Sequence, residues 1–164
     1  MSTVRALVVV TRPGNMLMAC CAVALGAWLS GAGGGPWRLV LMLLAAAAAV
    51  AFGNVVNDLR DIETDKVSHP GRPLADGSLT VTQATVYAVL LALVSLAAGL
   101  TCSPLHGAAT LVPLALLLCY AFTLKGVPLG GNLIVAALVA YPLVYGGLTA
   151  PGRERLWIPA ALAA

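Results

Sequence analysis

Asn57-Asp58-Leu59-Arg60-Asp61-Ile62-Glu63-Thr64-Asp65 is the stretch on which the reading turns. It follows an apolar run, residues 39–57, that contains no Asp, Glu, Lys or Arg. At about 100° per residue, Asn57, Asp61 and Asp65 drift by only about 40° in each four-residue step and form one stripe on a helix. Asn54 and Asp58 lie close to that stripe, while Arg60 and Glu63 point elsewhere. Like charges stacked on one helix face are destabilising, so carboxylates converging at the mouth of an apolar helix need a neutralising partner. A divalent cation is the natural one. Hard oxygen ligands without Cys or His favour magnesium or calcium over zinc. Magnesium usually takes one or two carboxylates together with water and substrate phosphates. Lys66 and Arg72, just downstream, are placed to hold phosphate oxygens. The planar fork of an arginine can bind two such oxygens at once.

The rest of the chain says what solvent surrounds this patch. Of its 164 residues 60% are hydrophobic and only 9% are charged, where a soluble domain carries about 25%. So few charges cannot cover a water-facing surface, and lipid must be the main solvent. Residues 13–37, 39–57, 77–124 and 126–152 are free of Asp, Glu, Lys and Arg. A membrane span needs roughly 20 mostly apolar residues, so the third stretch holds two. Five of the six acidic residues fall between Asp58 and Asp76. The net charge of +3 is too small and too scattered for a nucleic-acid partner. Arg5 and Arg12 precede an apolar run with no small-residue cleavage site ahead of a polar domain, as in a retained start-transfer helix. The four cysteines make no Cys-x-x-Cys pair and read as small apolar residues within helices.

The spacing predicts an all-α, polytopic transmembrane bundle, one domain over residues 1–164. The first helix is expected at 15–32, ended by the cluster of glycines before Pro36. The second runs over 37–65, with its last turns leaving the apolar core. The third covers 81–101, the fourth 105–124 with Pro113 as a possible kink, and the fifth 129–148 around Pro142. Residues 149–155 read as a polar turn and 156–164 as the start of a sixth apolar segment, too short to cross a bilayer. The chain is therefore expected to continue in a longer protein. Arg5, Arg12, Arg60, Lys66, Arg72 and Lys125 fall on one side of such a layout, and Arg38, Arg153 and Arg155 on the other. By the positive-inside rule the 57–80 loop is cytoplasmic, in a multi-pass protein expected in a prokaryotic cell membrane.

The pattern Asn57-Asp58-x-x-Asp61-x-x-x-Asp65, followed by Arg72-Pro73-Leu74, Gly77 and Thr80, resembles the first aspartate-rich motif of the UbiA superfamily of intramembrane prenyltransferases. Arg12-Pro13 with Asn15 is similar to the opening of that family's first helix. Tyr120 to Lys125, Gly130-Gly131-Asn132 and Tyr141-Pro142 are similar to its fourth and fifth helices. The resemblance implies a helical bundle around a cavity open to the membrane, with more spans than this chain supplies. It implies transfer of a prenyl chain from its diphosphate to an acceptor. Two aspartate-rich motifs would hold magnesium and the diphosphate, and this chain carries the first; a second Asp-x-x-x-Asp cluster is expected within the next ~40 residues, about one helix and a loop. On that resemblance Asn57, Asp58, Asp61 and Asp65 are the metal-binding set, with Asp58, Asp61 and Asp65 catalytic, and Arg72 and Lys66 touch phosphate. Lys125 either reaches the same diphosphate or is an interface lysine with its stem in lipid. Asn15, Asn54 and Tyr120 are candidate cavity residues, with ordinary interhelical hydrogen bonding as the competing role. Arg12 is read as an interfacial anchor in preference to a substrate contact, and His69 and His106 as side chains without partners. The short gap between Asp65 and Arg72-Pro73 resembles the branches whose acceptor is a geranylgeranylglycerol phosphate, a chlorophyll precursor or homogentisate, with the first preferred.

Other readings compete. A solvated helix end in a polar loop would also be charged, though its charges need not share a face. Acids within membranes also mark ion pathways in transporters. Alcohol phosphotransferases place aspartates and magnesium at a helix end, but their motif needs an upstream Asp-Gly that is missing here. A truncated, non-catalytic paralogue acting as a membrane scaffold remains a further possibility for a chain of this length.

Overall fold

Proline and hydroxyl residues set where the helices begin. The computed structural model describes residues 2–31, 35–124, 127–148 and 160–162. Its helices are α1 (Thr3–Thr11), α2 (Pro13–Leu29), α3 (Pro36–Arg60), α4 (Ile62–Ser68), α5 (Val81–Cys102), α6 (Pro104–Cys119) and α7 (Pro128–Gly147). A π-helical turn, Tyr120–Leu124, prolongs α6. There is no strand among the described residues. Pro13, Pro36, Pro104 and Pro128 each open a helix, where the missing N–H costs nothing and φ is already set. Thr80 and Gln83 form a reciprocal capping box at the start of α5, and Ser103 accepts from the His106 backbone N–H at 3.2 Å to cap α6.

Among the described residues four helices are long and apolar enough to cross a membrane, and α1 with α2 makes a fifth candidate, bent by 45°. Their flanks carry lipid-compatible side chains: Val86, Val89, Leu90 and Leu93 of α5 are all exposed. Trp28 and Trp37 are exposed near helix ends, where aromatic rings suit the membrane interface. The predicted turn at 149–155 and most of the segment 156–164 lie outside the described residues, as do Trp157 and Lys125.

The helix α3 is the hub, packed against α1, α2, α5 and α6. Small residues let the backbones approach. Ala45, Ala48 and Ala49 are buried along α3, and the Ser95 hydroxyl of α5 donates to the Ala45 carbonyl at 2.7 Å. Between α2 and α7 the approach is closest: a Cβ on Gly26 would overlap the Leu143 carbonyl, and one on Gly146 would overlap that of Val23. One core cluster joins Ala6 and Val10 of α1 to Phe52, Val55 and Val56 of α3 and to Leu74 and Leu79 of the loop before α5. A second joins Val23, Met42, Ala98 and Tyr145 at the other end.

Two expectations from the sequence are corrected. The amino-terminal region begins with its own helix, α1, and α2 starts two residues earlier than expected. Pro13 disfavours the right-handed helical region for Arg12, and Arg12 takes the left-handed φ 53° and ψ 74°, ending one helix and starting the next. The second predicted helix is likewise two helices. It breaks at Asp61, with φ −95° and ψ 6°, so Asn57, Asp61 and Asp65 do not ride on one continuous rod.

Candidate functional site: an acid and arginine cluster above an apolar cavity

The break at Asp61 re-sorts the carboxylates. The Asp61 N–H still bonds the Asn57 carbonyl at 3.0 Å, and Asp65 N–H bonds the Asp61 carbonyl at 2.7 Å. Leu59 and Ile62, on either side of the break, pack against the first core cluster. The result is two kinds of acid. Asp58 and Asp65 are buried, 2% and 4% exposed. Asp61 is half-buried, and its Oδ2 accepts from Asn57 Nδ2 at 3.2 Å.

Arginines face the two buried acids. Arg72 donates from Nη1 to Oδ1 and Oδ2 of Asp65 at 2.7 and 2.6 Å, and the same nitrogen is 3.6 Å from Asp58 Oδ1. Arg12 Nη2 donates to Asp58 Oδ1 in a short ion pair. The loop that delivers Arg72 explains the Arg72-Pro73-Leu74 sequence. Pro73 is fully buried and Leu74 and Leu79 enter the core, and Leu79 N–H bonds the Pro73 carbonyl at 2.9 Å. Gly77, at φ 77°, makes the turn between them. The apolar pair thus pins the arginine in front of it. The hydrogen bond with Asp65, chiefly, together with the charges of Asp58, Asp65 and Asp61, raises the Arg72 pKa above its ordinary value despite some burial. In the same loop Asp76 Oδ1 accepts from Ser78 N–H at 2.8 Å, and its hydrogen bonds with Ser78 lower its pKa.

Below this cluster lies a cavity of about 600 Å³. Arg12, Asn15, Asn54, Asn57 and Tyr120 supply polar groups to its lining, and Ala19, Ala46, Ala49, Leu117, Leu138 and Val139 supply apolar wall. Asn54 Nδ2 donates to the Thr11 carbonyl at 2.7 Å, tying α3 to the α1–α2 corner. Deeper, Tyr145 and Thr110 share a hydrogen bond of 3.1 Å, and Tyr141 donates to the Ala109 carbonyl at 2.7 Å.

Placed on this geometry, the sequence candidates divide. Asn15, Asn54, Asn57 and Tyr120 line the cavity, and Asp58, Asp65 and Arg72 form the buried ion-pair group beside it. Lys66 stands apart: its Nζ bonds Glu63 at 2.7 Å on the exposed face of α4. Lys125 is outside the described residues. The residue that the reading misplaced is Arg12, taken for an anchor and found turned inward on Asp58. The signal was present in Pro13, which forces a corner there. The histidines also have neighbours. His69 Nδ1 is 3.0 Å from Ser68 Oγ and 3.6 Å from Asp65. His106 is buried, with Nδ1 2.8 Å from Ser103 Oγ and its ring edge-on to Tyr145. Among the described residues no three of His, Cys, Asp and Glu form a ready-made metal cage.

Residues 17–164 match the UbiA prenyltransferase family. Digeranylgeranylglyceryl phosphate synthase of Natronomonas pharaonis is 33% identical over 152 residues, which are 93% of this chain and 55% of that protein. The chain thus spans little more than half the length of that relative. A solved structure concerned with digeranylgeranylglyceryl phosphate synthase in membranes superimposes with a TM-score of 0.92 at 22% identity, over 99% of this chain and 59% of the other. A UbiA homologue from Archaeoglobus fulgidus, bound to GPP and Mg2+, gives 0.67 at 17% identity over 96% and 60%. Both superpositions carry the helical fold. With the family match extending over most of its length, the chain belongs to the UbiA prenyltransferase family.

Proposed function

We propose that this chain is the donor-binding part of a magnesium-dependent intramembrane prenyltransferase. It would move a geranylgeranyl group from its diphosphate to geranylgeranylglyceryl phosphate. The observation that carries the reading is the joining of an acid and arginine cluster to a long apolar cavity by Asn57, which hydrogen-bonds Asp61 and lines the cavity. One end suits a charged headgroup and the other an isoprenoid tail.

The donor set fits magnesium. All the oxygens are hard, and magnesium does not need a cage of three protein carboxylates when a diphosphate completes its shell. Asn57 and Asp61 are the residues best placed to meet such an ion. Asp58 and Asp65 are held by arginines and would support it from behind. When bound, magnesium would neutralise charge developing on the leaving diphosphate. The chain's own groups do the rest. Arg72, pinned by Pro73 and Leu74, would turn its fork to phosphate oxygens. The apolar wall would align the tail and keep water from the allylic carbon. In the reaction the carbon–oxygen bond breaks with its electron pair on the diphosphate. The acceptor hydroxyl oxygen then bonds that carbon and gives up its proton to the released diphosphate or to water.

The acceptor is chosen over a chlorophyll-type or aromatic one because the relative at 33% identity is named for a glyceryl phosphate product. The Lys and Arg count supports a cytoplasmic position for the cluster. Radiolabelled geranylgeranyl diphosphate, offered to the full-length protein with magnesium and each acceptor class in turn, tests the reading. Label in an ether lipid phosphate supports it, and label only in an aromatic acceptor rejects the acceptor assignment. A protein with no transfer to any acceptor would favour the scaffold reading.

A further inference from the structure

Arg12 is the residue whose conformation asks for a further explanation. Among the described residues it is the one non-glycine with positive φ, 53°. An L-residue in that region gives up roughly 1–2 kcal/mol, and such strain persists where the surrounding structure fixes it, often at ligand sites. The surroundings do fix it. Arg12 N–H closes α1 on the Val9 carbonyl at 3.2 Å, its own carbonyl accepts from Asn15 N–H at 2.9 Å, and Asn54 holds the neighbouring Thr11 carbonyl. The corner points the side chain inward, where it lines the cavity with Asn15.

The two arginines of the cluster are used differently. Arg72 gives one nitrogen, Nη1, to both oxygens of Asp65 and is not part of the cavity wall. The Arg12 side chain makes one hydrogen bond, through Nη2 to Asp58, among the described residues. A guanidinium has five N–H donors, and the Arg12 side chain is one-third exposed on the cavity side of that bond. Both arginines converge on Oδ1 of Asp58, so one buried carboxylate stands between two positions for anions. A single diphosphate needs one of them. A reaction between two phosphate-bearing lipids needs both.

We propose that Arg12, assisted by Asn15, binds the phosphate of the acceptor and so selects a phosphorylated acceptor over its free alcohol. This deepens the prenyltransferase reading and rests on it. Arg72 then serves the donor diphosphate, and Asp58 keeps the two anion positions distinct while holding Arg12 in place when no acceptor is bound.

The test is steady-state kinetics on the full-length protein in lipid nanodiscs, for wild type, Arg12→Ala and Arg12→Lys. Donor concentration is varied in one arm. In the other, geranylgeranylglyceryl phosphate is compared with its dephosphorylated alcohol. A lost charge-assisted hydrogen bond corresponds to roughly ten- to hundredfold in affinity. Arg12→Ala is expected to raise the KM for the phosphorylated acceptor by that factor and to leave the donor KM unchanged. Wild type is expected to prefer the phosphorylated acceptor by a similar factor, and the variant to lose that preference. Arg12→Lys, which keeps a charge for Asp58 but loses the fork, is expected to show the same split at smaller size; it carries the test if the alanine variant does not fold. A variant that retains the phosphate preference, or whose donor KM rises as much as its acceptor KM, overturns the assignment while wild-type transfer stands. A wild type that transfers no prenyl group overturns the parent reading, and this one with it.

Discussion

Arg72 grips Asp65 across seven residues, one nitrogen reaching both carboxylate oxygens at 2.7 and 2.6 Å. Asp65 is almost fully buried, so the pair is more than a surface contact. Removing one partner of a buried pair leaves an uncompensated charge, at a cost of about 3–5 kcal/mol. Arg72→Ala is therefore expected to lower the unfolding free energy of the protein in detergent by an amount in that range, seen as a lower denaturation midpoint, and Arg72→Ala with Asp65→Asn to recover a large part of it. Equal midpoints for wild type and Arg72→Ala in thermal or denaturant scans would show that the pair carries no stability.

Asp61 is half-buried and stands at the break between α3 and α4, where Asn57 donates to its Oδ2 at 3.2 Å. Asp61→Asn keeps the size and the hydrogen-bonding reach and removes the charge. Prenyl transfer should fall by at least roughly a hundredfold, the scale seen when one preorganised electrostatic contact is lost. The melting temperature should stay close to that of wild type, since asparagine serves a helix N-cap as well as aspartate does. A radiometric assay beside a melting curve separates the two. Loss of fold and activity together would make Asp61 a structural residue.

Removing the ion should act on activity through the same residue. Chelation of divalent cations is expected to abolish transfer, and added magnesium to restore it. The half-maximal magnesium concentration for Asp61→Asn should lie at least about tenfold above that of wild type, corresponding to roughly 1.4 kcal/mol. Titration of activity against free magnesium reads this directly. An unchanged midpoint would mean that Asp61 does not meet the ion.

The spans, the bundle class and the position of the polar segment were all legible in the sequence, because charge-free runs and proline boundaries are local signals. The two corners were not read. At Asp61 no Gly or Pro announces a break; it accompanies the docking of Leu59 and Ile62 into the core and the capture of Asp65 by a loop residue, both tertiary events. The break then decides which acids are buried, so Asp58 and Asp65 turn to the arginines and the expected stripe of Asn57, Asp61 and Asp65 is divided. At Arg12 a signal was present in Pro13, but an arginine beside an apolar run also fits an anchor. Only the packing of α1 on α3, through Ala6 and Val10, turns it inward. Lys66 looked equivalent to Arg72 by sequence distance, yet it lies on the far face of a seven-residue helix with Glu63.

The close approach of α2 and α7 supplies a prediction away from the polar cluster. Gly26→Ala would drive a methyl group into the Leu143 carbonyl, and overpacking of this kind typically costs about 1–3 kcal/mol. Since Ala19 of α2 and Val139 of α7 both line the cavity, splaying these helices should also loosen the hold on a prenyl tail. A lower melting temperature and a raised KM for the donor are expected together. Wild-type values for both would show that the contact is softer than its geometry implies.

The most direct measurement is a high-resolution map of the full-length protein with Mn2+ and a non-hydrolysable geranylgeranyl thiodiphosphate. The account predicts metal density bonded to oxygens of Asn57 or Asp61, the diphosphate within reach of Arg72, and the tail in the cavity lined by Ala49 and Leu117. Ligand and metal bound elsewhere, with Arg72 still locked on Asp65 and the cavity filled by lipid alone, would contradict it.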